Sequence, residues 1–91
     1  DNSDRAILNL QNDIRIAINR GVETRQLSQK EAKRYLREYD RISQKEIKLR
    51  ARNGLNNREE RQLVNELSQL RSQVYNQVNV RDNRRTAGRW R

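Results

Sequence analysis

Two short runs, 28 residues apart, constrain this chain more than anything else in it: Leu27-Ser28-Gln29-Lys30-Glu31 and Leu55-Asn56-Asn57-Arg58-Glu59. In each, a Ser or Asn side chain can accept from the backbone N–H three positions on. The Glu at that position can reach back to the first N–H, so two free donors of a helix start satisfy each other. A helix therefore opens at each run. Arg50-Ala51-Arg52-Asn53-Gly54 lies just before the second run. It puts cations in a last turn and then a residue that tolerates a left-handed backbone. The chain has no Pro, so nothing interrupts a helix interior.

Between these signals the apolar residues recur at three- and four-residue steps. Ile7, Leu10, Ile14, Ala17 and Ile18 line a first helix, predicted over about 4–20, with Ser3 or Asp4 as cap and Gly21 as stop. Leu8 and Ile16 lie off that stripe and hint at a second packing surface, such as a contact in a homo-dimer. Gly21 to Gln26 is a short connector suited to antiparallel neighbours. Ala32, Tyr35, Leu36, Tyr39, Ile42 and Leu49 line a second helix, predicted over 29–52. Leu63, Val64, Leu67, Leu70, Val74 and Val78 line a third, predicted over 57–79. The expected fold is all-α: an antiparallel three-helix bundle, one domain over 1–80, with the second helix between or against the other two. Pairing the second and third helices across Gly54 sets Tyr39 near Leu70 and Ile42 near Leu67. Glu46 falls inside the apolar arc of the second helix, where a carboxylate needs partners. Arg50 and, from the first helix, Arg5 are the candidates. Arg34 with Glu38 and Glu38 with Arg41 are further intrahelical pairs.

The charge is the strongest functional clue. Lys and Arg number 21 against 12 Asp and Glu, a formal net charge of +9. Residues 81–91 carry five Arg and one Asp, have no apolar period, and are read as a disordered or loosely docked basic tail. The rest of the excess lies on the body. Lys30, Arg34, Arg37, Arg41, Lys45, Lys48 and Arg52 recur along the second helix within about 80° of one another, clear of the apolar stripe. On the third helix the face away from the apolar stripe is mostly neutral, with Gln62, Asn65, Gln69, Ser72, Gln73 and Asn76, so the basic stripe belongs to the second helix and is not repeated. A basic stripe of this kind favours an anionic macromolecule: an acidic protein, an envelope polymer or nucleic acid. In the tail, Arg84, Arg85, Arg89, Trp90 and Arg91 are candidates for the same partner, Trp90 by stacking or by insertion at an interface.

Catalytic and metal chemistry find no footing. There is no His and no Cys, and no phosphate-cradling glycine loop or Ser/His/Asp set. The turn after Gly21 resembles an EF-hand only superficially, because the oxygen ligands a calcium loop needs before its Gly are missing. No enzyme activity, cofactor or metal is assigned. No apolar run approaches the roughly 18 residues a membrane span requires.

One resemblance adds to this reading. The run Gly21…Gln26-Leu27-Ser28-x-x-Glu31-Ala32-x-x-Tyr35-Leu36-Arg37-x-Tyr39-x-x-Ile42, then Glu46…Arg50-Ala51-x-Asn53-Gly54-Leu55-x-x-x-Glu59-x-Arg61, resembles small exported helical proteins of Gram-negative bacteria. Those carry Gly-x-Leu-Ser/Thr-x-x-Glu-Ala turns, Arg-rich helices and a signal peptide. The resemblance spans roughly residues 14–80 and implies a helical fold and a periplasmic or secreted location, with no named activity. The opening Asp1-Asn2-Ser3-Asp4 fits either a terminus left by signal-peptide removal or an artificial boundary. The leading expectation is a non-enzymatic binding or chaperone-like protein that engages an acidic protein or anionic envelope component. The alternative is a sequence-nonspecific nucleic-acid-binding module, which would be cytoplasmic.

Overall fold

The computed structural model describes the backbone of residues 2–90 and the side chains of residues 4–78. It is an all-α bundle of three helices: α1 (Asn2–Glu23), α2 (Gln29–Asn53) and α3 (Asn57–Trp90). Both start signals form. Ser28 Oγ accepts from the Glu31 N–H at 3.1 Å, and Glu31 Oε1 accepts from the Ser28 N–H at 2.9 Å. Asn56 Oδ1 accepts from the Glu59 N–H at 2.8 Å, and Glu59 Oε1 accepts from the Asn56 N–H at 3.1 Å. Gly54 closes α2 at φ 76° and ψ −173°, a backbone conformation essentially reserved for glycine, and donates its N–H to the Arg50 carbonyl. These caps fix where α2 and α3 begin, and hence where the hairpin between them turns.

The first turn is built differently from the expectation. Helix α1 passes through Gly21 and ends at Glu23. The left-handed residue is Arg25, at φ 62°. The N–H of Gln26 bonds to the Gly21 carbonyl at 2.8 Å and that of Arg25 to the Val22 carbonyl at 3.1 Å. This pair of bonds is the Schellman closure, which satisfies two of the last free carbonyls of a helix. Gly21 serves a close approach instead. A Cβ there would lie 2.7 Å from Cγ and Cδ1 of Leu27. Leu27 folds back over Gly21 and joins the core at 2% exposure. It also precedes the Ser28 cap, and Ala32, buried in the same core, stands at the matching position of a hydrophobic staple.

The core runs the length of the bundle. Ile7, Leu10, Ile14 and Ile18 of α1 meet Ala32, Tyr35 and Ile42 of α2 and Leu63, Leu67, Leu70 and Val74 of α3. All of these belong to the predicted apolar stripes. Leu36 does not follow its stripe and is exposed. The α1–α3 seam is the most extensive of the three. The second helix is therefore not the central one, because its buried face is the narrowest and α1 packs chiefly on α3. The α2–α3 alignment follows the pairing across Gly54: Lys45 reaches Glu66 at 3.2 Å and Tyr35 reaches Gln77 at 2.5 Å. Glu46 is held by Gln11, whose Nε2 donates to it at 2.7 Å, and by Arg50 at 2.8 Å. Arg5 is not its partner. It is exposed, because α1 runs further before it turns and brings the level of Gln11 opposite Glu46. Asp4 lies inside α1, which begins at Asn2, and pairs with Arg50 across the bundle at 3.0 Å, while the Ser3 side chain, the other expected cap, lies outside the described residues.

The third helix continues to Trp90 where the apolar period predicts an end at 79. Residues 81–87 contain no Gly or Pro, and extending an existing helix is far easier than starting one. The side chains of the expected basic tail lie outside the described residues.

Candidate anion-binding groove

A solvent-open groove of about 1290 Å³ lies between α2 and α3 on their outer side. Arg34, Arg37 and Arg41 stand along the α2 wall, and Gln69, Gln73, Asn76 and Gln77 along the α3 wall. Tyr35 and Leu70 form the floor, with Glu38 and Glu66 at the centre. The arginine row faces the groove because burial of Ala32, Tyr35 and Ile42 fixes how α2 is turned about its axis. The amide row faces it because steps of four and three residues keep one face of α3.

The basic stripe is not uniform. Arg41 is committed to structure: it bonds Glu38 through Nε at 3.1 Å and Nη2 at 2.6 Å, and reaches Glu66 at 3.5 Å. The hydrogen bonds from Arg41 hold the Glu38 carboxyl below the ordinary glutamate range, outweighing the opposing effect of burial, and the Arg41 charge adds to them. The same pair raises the Arg41 pKa still further. Lys45 is half-buried and joins α2 to α3 through Glu66. These two cations therefore help close the helix seam. The expected Arg34–Glu38 pair does not form, since Arg41 occupies that carboxylate. Arg34 instead lies over the Tyr35 ring at 5.7 Å, a cation–π distance. Arg34 and Arg37 are exposed, and neither has a carboxylate partner among the described residues. Lys30, Lys48 and Arg52 are also exposed but lie outside the groove. Arg52 borders a separate hollow of about 280 Å³ at the Gly54 turn. Arg84, Arg85, Arg89, Trp90 and Arg91 lie outside the described side chains.

One end of the groove is fastened. The Tyr35 hydroxyl donates to Gln77 Oε1 at 2.5 Å, and Gln77 Nε2 donates to Glu31 Oε2 at 2.5 Å. Glu31 is the capping residue of α2, so the α2 start and the α3 wall are held as one piece. Gln69, Gln73 and Asn76 are exposed and spend no side-chain hydrogen bond on another described residue. These amides were not predicted as site residues. A neutral polar face reads as solvated, and only its placement opposite the arginines gives it a role.

Among the described residues, no helix is long and apolar enough to cross a membrane. Protein-family models, curated proteins and solved structures were all compared with this chain, and none matches it.

Proposed function

We propose that this chain is a non-enzymatic binding protein that holds an anionic macromolecule in the α2–α3 groove. One observation carries the reading: Arg34 and Arg37 are exposed and have no carboxylate partner among the described residues, side by side in a groove whose other cation, Arg41, is already neutralised. On a helix, an acidic residue three or four positions from a cation is placed to pair with it. Arg34 has Glu31 and Glu38 at that spacing and Arg37 has Asp40, yet neither arginine pairs with a carboxylate among the described residues, so both keep donors available for an incoming anion on one wall of the concavity. The remainder of the stripe contributes long-range attraction, which raises the encounter rate and fades with salt.

The partner class we favour is an acidic protein, or an anionic component of the cell envelope. The periplasmic or secreted location rests on the resemblance of the Gly21–Arg61 stretch to exported helical proteins. It is tested by whether the full-length gene product reaches the periplasm or the medium.

The binding reading is tested by retention on immobilised polyglutamate against a salt gradient. R34Q/R37Q and K48Q/R52Q each remove two charges. R34Q/R37Q is expected to elute well before the parent and before K48Q/R52Q. Equal elution of the two variants would mean that net charge alone drives retention, and the groove would lose its role.

A further inference from the structure

The two walls of the groove differ in chemistry, and the difference selects among anionic partners. We infer that the groove takes an extended acidic segment of another polypeptide, with carboxylates toward Arg34 and Arg37 and its backbone along Gln69, Gln73 and Asn76. The inference rests on the groove being the binding face.

The arginine wall suits carboxylates, because a guanidinium fork matches the two oxygens of a carboxylate in a bidentate pair. The amide wall suits a peptide backbone. Each Asn or Gln offers both donors and an acceptor, and a peptide unit presents the complementary N–H and C=O. A phosphodiester backbone presents acceptors only, and would leave the amide oxygens unused. The axial steps between Gln69, Gln73 and Asn76 are about 6 and 4.5 Å. Residues of one face of an extended strand recur every ~6.6–6.8 Å, within reach of flexible amides.

The charge balance points the same way. Glu38 and Glu66 sit in the groove with Arg34, Arg37 and Arg41, so its own net charge is only +1. A strand of a nucleic-acid duplex brings one charge every ~3.4 Å of axis, or about three over the ~10.5 Å from Arg34 to Arg41. Those phosphates would pass Glu38 and Glu66, already paired with Arg41 and Lys45, with two free cations to hold them. A polypeptide can space its carboxylates to match Arg34 and Arg37 and pass Glu38 and Glu66 with neutral residues. The floor decides between extended and helical. An amphipathic helix needs an apolar surface on which to lay its stripe, and the floor offers only the edges of Tyr35 and Leu70, 7% and 2% exposed.

Fluorescence anisotropy distinguishes these partners. The probes are a dye-labelled twelve-residue peptide of alternating Glu and Ser, and a dye-labelled thymidine 12-mer, at one ionic strength. The proteins are the parent, R34Q/R37Q and Q73A/N76A, each checked for unchanged helicity by circular dichroism. The parent is expected to bind the peptide more tightly than the oligonucleotide. R34Q/R37Q should weaken peptide binding by about tenfold or more, and Q73A/N76A by about three- to tenfold with little change for the oligonucleotide. Tighter oligonucleotide binding, or peptide binding that Q73A/N76A leaves unchanged, would overturn the acidic-segment inference while an R34Q/R37Q effect preserves the groove as the binding face. Indifference of both probes to R34Q/R37Q would overturn the binding face and the inference together.

Discussion

Replacing Gly21 by Ala should destabilise the bundle, although the residue lies within a helix. At an unencumbered interior site the change would favour folding by about 1 kcal/mol, because Ala is the better helix former. Here the new methyl would sit 2.7 Å from Cγ and Cδ1 of Leu27, about 1 Å inside ordinary carbon contact. Leu27 cannot swing away freely: it is 2% exposed, and forfeiting its burial costs about 1.5–3 kcal/mol. Overpacking of this kind costs about 1–3 kcal/mol, so the net loss should be about 1 kcal/mol. That lowers Tm by about 4–8 °C in a domain of this size. Leu27→Ala alone should cost about 2–5 kcal/mol. In the double variant the methyl added at position 21 fills part of the vacated space, and the helix preference of alanine is regained. The two losses should therefore fall short of additive by about 2 kcal/mol. Urea unfolding followed at 222 nm measures all four corners of the cycle. A more stable Gly21→Ala with additive losses would mean that Gly21 bears no contact from Leu27, and the first turn would need rebuilding.

Other substitutions test the neighbouring features. Arg25→Gly should stabilise by about 0.5–1 kcal/mol, since the left-handed backbone there strains any side chain with a Cβ; a loss in urea unfolding would contradict the Schellman closure. Gln11→Ala should cost about 1 kcal/mol by removing a part-buried bond to Glu46, whereas Arg5→Ala should stay within about 0.5 kcal/mol; the reverse order would shift the docking of α1. Glu38 should titrate below an ordinary glutamate by NMR. Its folded pKa is depressed, so its contribution is present above the unfolded value of about 4.3 and is lost as pH falls through the folded one. Exposure of both partners limits that contribution to about 0.5 kcal/mol, and Arg41→Gln should return the titration to the ordinary range.

The parts of the fold legible in the sequence are those governed by neighbours in the chain. Ser28 with Glu31 and Asn56 with Glu59 are local bonds, so spacing alone locates them. The same holds for Gly54, whose positive φ follows from its place after a last helical turn, although its ψ of −173° departs from the left-handed helical value. Gly21 misleads for an instructive reason. A Gly after a cation commonly ends a helix, but here Leu27 needs the space that its missing Cβ leaves, and Arg25 takes the left-handed position instead. Arg41 and Arg34 look alike in sequence because what separates them is Glu66, 25 residues beyond Arg41. A signal for this was present: pairing the helices across Gly54 sets Glu66 at the level of Ser43, between Arg41 and Lys45. The amide wall gave no comparable signal. Gln69, Gln73 and Asn76 acquire meaning only from the arginines that tertiary packing brings opposite them.

Arg34, Arg37 and the α3 amides must form one binding surface for the groove to work as proposed. Titrating the Glu/Ser peptide into isotopically labelled protein, with backbone, arginine Nε and side-chain amide signals followed by NMR, tests this directly. The predicted result is saturable shifts at Arg34, Arg37, Gln69, Gln73 and Asn76, with Lys48 and Arg52 nearly unmoved. Shifts spread evenly over all exposed cations, or centred on α1, would contradict it.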